Sequence, residues 1–517
     1  MEDLEDWIHE ANDCVHINLT RPSDKAEPVF EDSFGPEFTY PILGDEQKII
    51  GYRNPRISLH FRANDLKPNL DITFKEKIDL STLLPDGAEQ VDIEAAWESL
   101  IPSDDSESTK TSSLSENDPM SNSWKPPGEV AHTFESHGKK FEIWKSTLAD
   151  PDSLKLWQNM QVLVLLFIEG ASLLDIDEEW TLQRWTLYLL YEVTPIMDPS
   201  ISPYTLAGFS TTHRYWIFPT FEVMRALKAL PSPPASSNGE SKYAPPKVPF
   251  DPDTSRFQEV DLLQEPSRER ISQFVILPPF QGQSLGCKLY ETIFGDLVKL
   301  PNIYEIPVED PNETFDKMRD YADMDYLRRL PAFKNLTVAT NVPPEKLRKD
   351  SPISRDQLLG NGTDLDALRI ETKIVQRQFN RLVELHLLST IPPLHRSKAR
   401  ITRKEKASNE NDRKFYFWRL AVKERIYQQH AEVLSQIEES SERVEKVEAA
   451  LENQLDEYIE RLEGLEKRSS GTSSGGGLLT VPRPKRKRRT IVDDEEDDEW
   501  EDMEEGSVAS SSKRVKS

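Results

Sequence analysis

Cysteine is nearly absent from this chain of 517 residues: only Cys14 and Cys287 occur. At most one bridge can form, which excludes a disulfide framework and points to a reducing compartment. No C-x-x-C pair is present and the nine histidines form no cluster with ligand spacing, so no metal site is expected. Long apolar runs are missing too. None approaches the length of a membrane span, and the opening MEDLEDWIHE is acidic where a secretory leader would be basic and then apolar, so neither a span nor a leader is expected. Positive charge is in deficit: 64 Lys and Arg stand against 91 Asp and Glu, a net charge of −27. That balance favours basic partners and argues against direct DNA binding.

The charge is also unevenly placed. Positions 493–505 are acidic except for Trp500 and Met503, PRPKRKRR at 482–489 lies just before them, and Lys513, Arg514 and Lys516 close the chain. Such runs have nothing apolar to bury and are expected to stay solvated and unfolded. On a flexible tail, the unbroken basic run Lys485 to Arg489 has the character of a nuclear import signal.

Two to four domains are expected at this length. Residues 1–103 read as a small mixed domain, with strand-like alternation in RISLHFRA and DITFKEKI. A Ser, Asp and Glu-rich flexible linker, 104–131, leads to a core at 132–336, which a Pro, Ser and Gly-rich surface insertion interrupts at 231–253. A helical C-terminal region, 337–468, contains IVQRQFNRLVELHLL, a basic connector from Arg396 to Arg413 and a long helix. In that helix Ile437, Val444, Val447, Leu451, Leu455, Tyr458, Leu462 and Leu465 recur mostly at steps of three and four, a coiled-coil or helical-hairpin seam. Packing within the same chain is preferred over self-association. The tail, 469–517, begins with a flexible Gly-Ser linker at 469–477.

The stretch from Arg268 to Arg319 carries the most chemistry. Apolar and β-branched residues from Ile271 to Leu277 run together as a buried strand would, and Pro278 and Pro279 close it. The turn PFQGQSLG then opens a helix marked by Cys287, Leu289, Tyr290, Ile293, Phe294 and Leu297. Backbone N–H groups near Gly282 to Gly286 therefore converge at a helix N-terminus, an anion cradle. A second short strand, IYEIPVED, delivers Glu309 and Asp310 at its end, before Pro311 halts it. Carboxylates at a strand end beside a phosphate cradle indicate group transfer.

These residues resemble the GNAT superfamily of N-acetyltransferases, and within it the type B histone acetyltransferase catalytic subunits. The resemblance rests on QFVILPPFQGQSLG and VEDPNETFDKMRD together with FEIWKS, FIEGASLLDIDEE, GFSTTHRYWIFP and EFTYPILGDEQKIIGY, each in the family's order, from near the start to about Pro331. It implies an α+β fold, a GNAT-type mixed sheet flanked by helices, with a small mixed α/β N-terminal domain and a helical C-terminal region. One position departs from the pattern. Where the superfamily turn expects its first glycine stands Ser284, at a place where glycine lets the backbone approach a pyrophosphate and permits positive φ.

The implied donor is acetyl-CoA, with no metal, and the implied acceptors are lysines in the N-terminal tail of newly made histone of the H-four type. A lysine amine titrates near about 10.4 and must lose a proton before it attacks a thioester. Glu309 is suited to take that proton if Ile306, Val308 and Phe315 desolvate it, and the resemblance makes it the leading base, with Glu169 and Asp310 assisting. The structural alternative is that Glu309 and Asp310 cap the following helix, NETFDKMRD. Backbone groups of Phe274, Val275 and Ile276 are expected to pair with the pantetheine amides as an added strand would, and Gln281, Gly282, Gln283, Ser284, Leu285, Gly286 and Cys287 to hold the pyrophosphate. Asn312 matches a cofactor-contacting position of the family. Phe274 and Phe280 read as core by their side chains, and Cys287, inside the helix with no histidine nearby in sequence, reads as packing and not as a nucleophile.

For the protein substrate, Trp185 and the strip HRYWIF offer aromatic walls for a lysine stem, and the acidic DIDEE, including Asp175 and Asp177, suits a basic peptide. The acidic tail could engage the same basic histone surface. The family works with a WD-repeat histone-binding subunit, and residence in both nucleus and cytoplasm is expected; no membrane association is. Two other readings stand beside this one: an acetylase of protein N-termini or small amines, and a non-catalytic acidic histone chaperone whose cofactor turn has decayed at Ser284.

Overall fold

The computed structural model describes residues 5–79, 90–101, 117–173, 179–195, 200–229, 243–258, 263–347 and 355–469, together with 176, 198 and 261. The acidic and basic runs beyond 470, the Gly-Ser linker, most of the 231–253 insertion, and Asp175 and Asp177 lie outside these residues. Contacts group the chain into two compact units, one of Met1–Ile217 with Val260–Asn312, the other of Phe218–Glu259 with Glu313–Ser517. The fold is α+β, as the sequence implies. Among the described residues no helix is long and apolar enough to cross a membrane.

The first unit holds two main sheets. In the smaller, β1 (Val15–Thr20) runs parallel to β2 (Arg56–Arg62), which pairs antiparallel with β3 (Pro68–Thr73). Strand β1 alternates buried Val15, Ile17 and Leu19 with partly exposed His16, Asn18 and Thr20, the two-residue period of a strand with one face on a core. The six-stranded sheet is built from β4 (Glu129–Ser136), β5 (Lys139–Thr147), β6 (Trp185–Val193), β7 (Tyr204–Trp216), β8 (Ser267–Ile276) and β9 (Ile303–Glu305), in the order β9-β8-β7-β6-β5-β4. Every pair is antiparallel except β8 with β9. A parallel pair requires a crossover, and α2 (Leu285–Leu297) supplies it.

Helix α1 (Pro151–Phe167) joins β5 to β6. Asp150 caps it by accepting from Ser153 N at 2.9 Å, and Pro151 occupies its first turn, where a missing N–H costs nothing. Its residues from Met160 to Phe167 are all buried, as expected of a helix lodged between a sheet and further chain. Asn159 donates to the Asp65 carbonyl at 3.0 Å and Tyr191 to the Asn64 carbonyl at 2.7 Å. Ala63 and Leu206 share a backbone bond of 2.8 Å. These buried bonds join the β2–β3 turn to α1 and to the larger sheet.

The second unit is mainly helical: α3 (Glu313–Leu327), α4 (Gln376–Ser389), α5 (Glu410–Gln429) and α6 (Ser440–Ser469). On α6 the seam from Leu451 through Leu455, Tyr458 and Leu462 to Leu465 is buried, packed on α3, α4 and α5 of the same chain. The seam is shorter than its spacing promised. Ile437 precedes the helix and Val444 is 66% exposed. Beneath it Glu384, fully buried, binds Arg425 at 2.8 Å, Arg355 at 3.2 Å and the Tyr458 hydroxyl at 2.9 Å.

Candidate active site

Strand β8 organises the site through its two unlike edges. On one side it pairs with β7 along its length, with a register shift beside Thr211 and Thr212. On the other, the parallel pairing starts at Ser267 with Ile303 and its last bridge is Ile271 with Val308, held by Ile271 N to Pro307 O at 3.0 Å and Glu309 N to Ile271 O at 2.9 Å. Residues 272–276 continue beyond that register. At about 3.3 Å per residue, the strand runs on for roughly 20 Å from Ile271 to Leu277. The carboxylates thus lie beside the last bridge on this edge and the turn at the strand's far end.

The turn is built by residues that local chemistry selects. Leu277 N still donates to Ala207 O, at 3.0 Å, but Pro278 and Pro279 have no N–H for the ladder and form a short 3₁₀ turn with Phe280. Phe280 is buried and packs edge-on against Phe30, ring centroids 5.6 Å apart. Gln281 Nε2 reaches back to the Ile276 carbonyl at 2.8 Å, and Gln283 Nε2 to the Pro279 carbonyl at 3.2 Å. Gly282 has φ +73° and Ser284 φ +62°, both left-handed. Ser284 therefore adopts the conformation that favours a glycine, and its side chain makes no capping bond.

Helix α2 follows at once, its first backbone bond running from Lys288 N to Ser284 O at 3.3 Å. The N–H groups that precede Lys288 have no intrahelical acceptor, by the geometry of any helix start, and together with the dipole they favour an anion. Leu285 and Cys287 point into the core, while Gln281, Gly282 and Ser284 are exposed. A Cβ added at Gly282 would meet nothing within 4 Å, so the mouth of the cradle is open. Among the described residues the buried hydroxyls of Ser272 and Ser210 have no partner; Ser272 follows the last bridge to β9 and Ser210 stands in register with Phe274. Open donors at the turn and orphaned hydroxyls along the strand fit a polar, phosphate-ended, extended ligand such as coenzyme A.

Of the three carboxylates, Glu309 and Asp310 stand next to Ile271, and Glu169 does not join them through any contact among the described residues. Glu309 forms an ion pair with Arg270, Oε1 to Nη1 3.3 Å, and its side chain remains 38% exposed. Desolvation by apolar neighbours is thus incomplete, and a guanidinium is the dominant neighbour. Asp310 is exposed with φ +34°. Glu169 sits exposed in the turn after α1, where the Gly170 N–H donates to the Tyr40 hydroxyl. Helix α3 begins at Glu313, so Asn312, not Asp310, occupies the position before its first residue.

Phe274 and Ile276 are half-buried and Val275 is buried, the alternation of a strand with one face on the core. Trp185 is also buried, at 7% exposure, and stacks on His213 with centroids 4.4 Å apart. It offers no open wall. Burial first, then Arg184 and Arg270, push the His213 imidazole down to about 3, so the ring is neutral. Cys287 is buried with its Sγ 3.4 Å from Glu291 Oε1, a packing role. Sequence reasoning passed over Arg270. It stands among the charged residues Arg268 and Glu269 that open β8, ahead of the apolar run, and its partners emerge from register: His213 lies opposite it on β7 and the Tyr215 ring is 5.8 Å from its guanidinium.

Among the described residues no group of three or more His, Cys, Asp or Glu could hold a metal ion. A family model described as the histone acetyl transferase HAT1 N-terminus matches residues 7–169. The histone acetyltransferase type B catalytic subunit of Gibberella zeae is 35% identical over 90% of this chain and 93% of its own length. The proteins of the same name from Aspergillus oryzae, 35% identical over 88% of this chain and 85% of theirs, and Schizosaccharomyces pombe, 29% identical over 90% and 96%, are similar throughout.

Proposed function

The chain belongs to the histone acetyltransferase type B catalytic subunit family, and from that premise we propose that it moves acetyl from acetyl-CoA to lysines in the N-terminal tail of newly made histone of the H-four type. It is an acyltransferase, and histones are its substrate class. The observation that carries the finer reading is that the last bridge from β8 to the chain after β9, Ile271 with Val308, falls just where Glu309 emerges, with the open turn at the far end of the same strand.

Acetyl-CoA supplies the activated thioester. The chain's residues do the rest. N–H groups from Gln281 to Cys287 hold the pyrophosphate, with charge-assisted bonds at a helix start. Backbone of Phe274, Val275 and Ile276 aligns the pantetheine arm as an added strand, and Asn312 contacts it. Glu309 takes the proton from the lysine ammonium, with Asp310 and Glu169 assisting; the freed amine nitrogen then bonds to the carbonyl carbon, the carbon–sulfur bond breaks, and the second proton lost from nitrogen passes to the departing coenzyme A thiolate to give the free thiol. Hydrogen-bond donors of the β8 edge favour the oxyanion that forms. Asp175 and Asp177 draw the basic tail toward the site.

A WD-repeat subunit presents the histone, and the protein divides between cytoplasm and nucleus, the run Lys485 to Arg489 serving as import signal and the acidic run at 493–505 as a histone contact. Deleting 482–517 is expected to abolish nuclear accumulation and weaken histone binding; a variant that keeps both rejects these roles. Incubating pure protein with acetyl-CoA and histones, with mass spectrometry of the products, tests the rest. Acetyl on lysine Nζ of the H-four-type tail is expected, and Glu309→Gln is expected to lose at least about a hundredfold in kcat. Acetyl on α-amines, or a Glu309→Gln variant at the native rate, would overturn the substrate or the base respectively.

A further inference from the structure

We propose that Arg270 is a positioning residue that holds the Glu309 carboxylate by one oxygen and so turns the other toward the incoming ammonium. The inference rests on the reading of Glu309 as the base. Among the described residues Arg270 is the only side-chain partner of Glu309, Nη1 to Oε1 at 3.3 Å, which leaves Oε2 for the incoming ammonium. The guanidinium itself is placed against β7. Its strand pairs with β7 so that Arg270 lies opposite His213, and its charge sits 5.8 Å from the Tyr215 ring. His213 is in turn clamped by stacking on Trp185.

The arrangement has a chemical consequence. A carboxylate on a rotating two-carbon stem samples many directions, and a bound guanidinium selects one. When the proton arrives on Oε2 the ion pair weakens, and when it leaves the pair reforms.

The other charged or titratable groups around the pair are His213 and Tyr215 on β7, Arg184 before β6, Arg268 on β8 bound to Glu305 of β9 at 2.8 Å, and Asp310 beside Glu309. Neither His213, neutral throughout the working range, nor the internally paired Arg268 and Glu305 can substitute for Arg270. Asp310 carries the wrong sign.

The test uses the full chain with acetyl-CoA and a histone tail peptide, and reads kcat and KM separately. In Arg270→Gln kcat is expected to fall about tenfold, with KM for acetyl-CoA within about twofold of the native value. Arg270→Lys recovers only part of that loss, because a point charge does not orient the carboxylate as a planar fork does. In the native protein kcat falls on going from low to molar salt, since a partly exposed pair is screened; this reading needs no variant and stands even where Arg270→Gln fails to fold. A kcat indifferent to both substitution and salt overturns the inference while leaving an inactive Glu309→Gln, and the base assignment, intact. A Glu309→Gln variant with native turnover overturns the base assignment instead.

Discussion

Ser284 offers the sharpest test of the cofactor turn. It sits at φ +62° and ψ 14°, where a residue with a Cβ is strained by about 1–2 kcal/mol. No side-chain capping bond offsets that strain. Replacing it with glycine removes the strain but enlarges the unfolded ensemble, which costs about 0.4–1 kcal/mol. The net expectation for Ser284→Gly is a gain of about 0.5–1 kcal/mol, whereas Ser284→Ala, equally strained and losing no bond, is near zero. Ser284→Val, β-branched in a left-handed position, loses more than about 1 kcal/mol.

The strain is local, so the readout should be local too. Native-state hydrogen exchange of the amides at the start of α2 is expected to slow by roughly two- to fivefold in the glycine variant. Calorimetric titration with acetyl-CoA is expected to change little, because serine already holds the backbone in the glycine-like conformation. Faster exchange in Ser284→Gly, or affinity for acetyl-CoA raised tenfold or more, refutes the reasoning: the first would mean that the hydroxyl stabilises the turn, the second that the Cβ stands in the ligand's way.

Three further expectations follow from packing and charge. A Cβ at Gly208 would lie 2.6 Å from Val275 O, on the strand beside it, so Gly208→Ala should destabilise by about 1–3 kcal/mol and raise KM for acetyl-CoA, measured by thermal melting and initial rates. Burial, then Arg328, push the His386 imidazole down to about 4 from its ordinary 6.5, and the ring packs 4.8 Å from Phe333. The unfolded chain therefore binds a proton the native one refuses: stability is full above pH 6.5 and falls as pH drops toward 4, by at most about 1.4 kcal/mol per unit. His386→Leu should flatten that slope in urea titrations at stepped pH. Burial would raise the Glu384 carboxyl, but Arg425 and Arg355 more than offset it and hold it below 4.5, so its stabilisation is present above that pH and lost as pH falls through the lower native value. Glu384→Ala, which removes the carboxylate facing the buried Arg425 and the partly buried Arg355, should cost about 3–5 kcal/mol in the same titrations.

Some of this was legible in the order of residues. Ile271 to Leu277, the proline stop, and the apolar spacing of Cys287, Leu289, Tyr290, Ile293, Phe294 and Leu297 identify a strand, a turn and a helix, and all six helix positions are buried. The seam of α6 from Leu451 onward was legible for the same reason: helix and strand periods are properties of neighbours along the chain. Where a tertiary neighbour decides, periodicity is silent. Val444 fits the spacing yet is left 66% exposed among the described residues. Trp185 has the composition of a binding wall, yet its face is closed by His213 from the next strand.

The chain by itself determined which segments become strands and helices, and which residue types could cradle an anion or accept a proton, since these depend on steric and hydrogen-bonding preferences within a few residues. Only the folded arrangement decided that β8 keeps one edge for β7 and parts from β9 after Ile271, that Glu309 meets Arg270, and that Ser284 bends left-handed. Those outcomes depend on register between strands far apart in sequence, and register is set when the whole sheet buries its apolar face, not by any one strand alone.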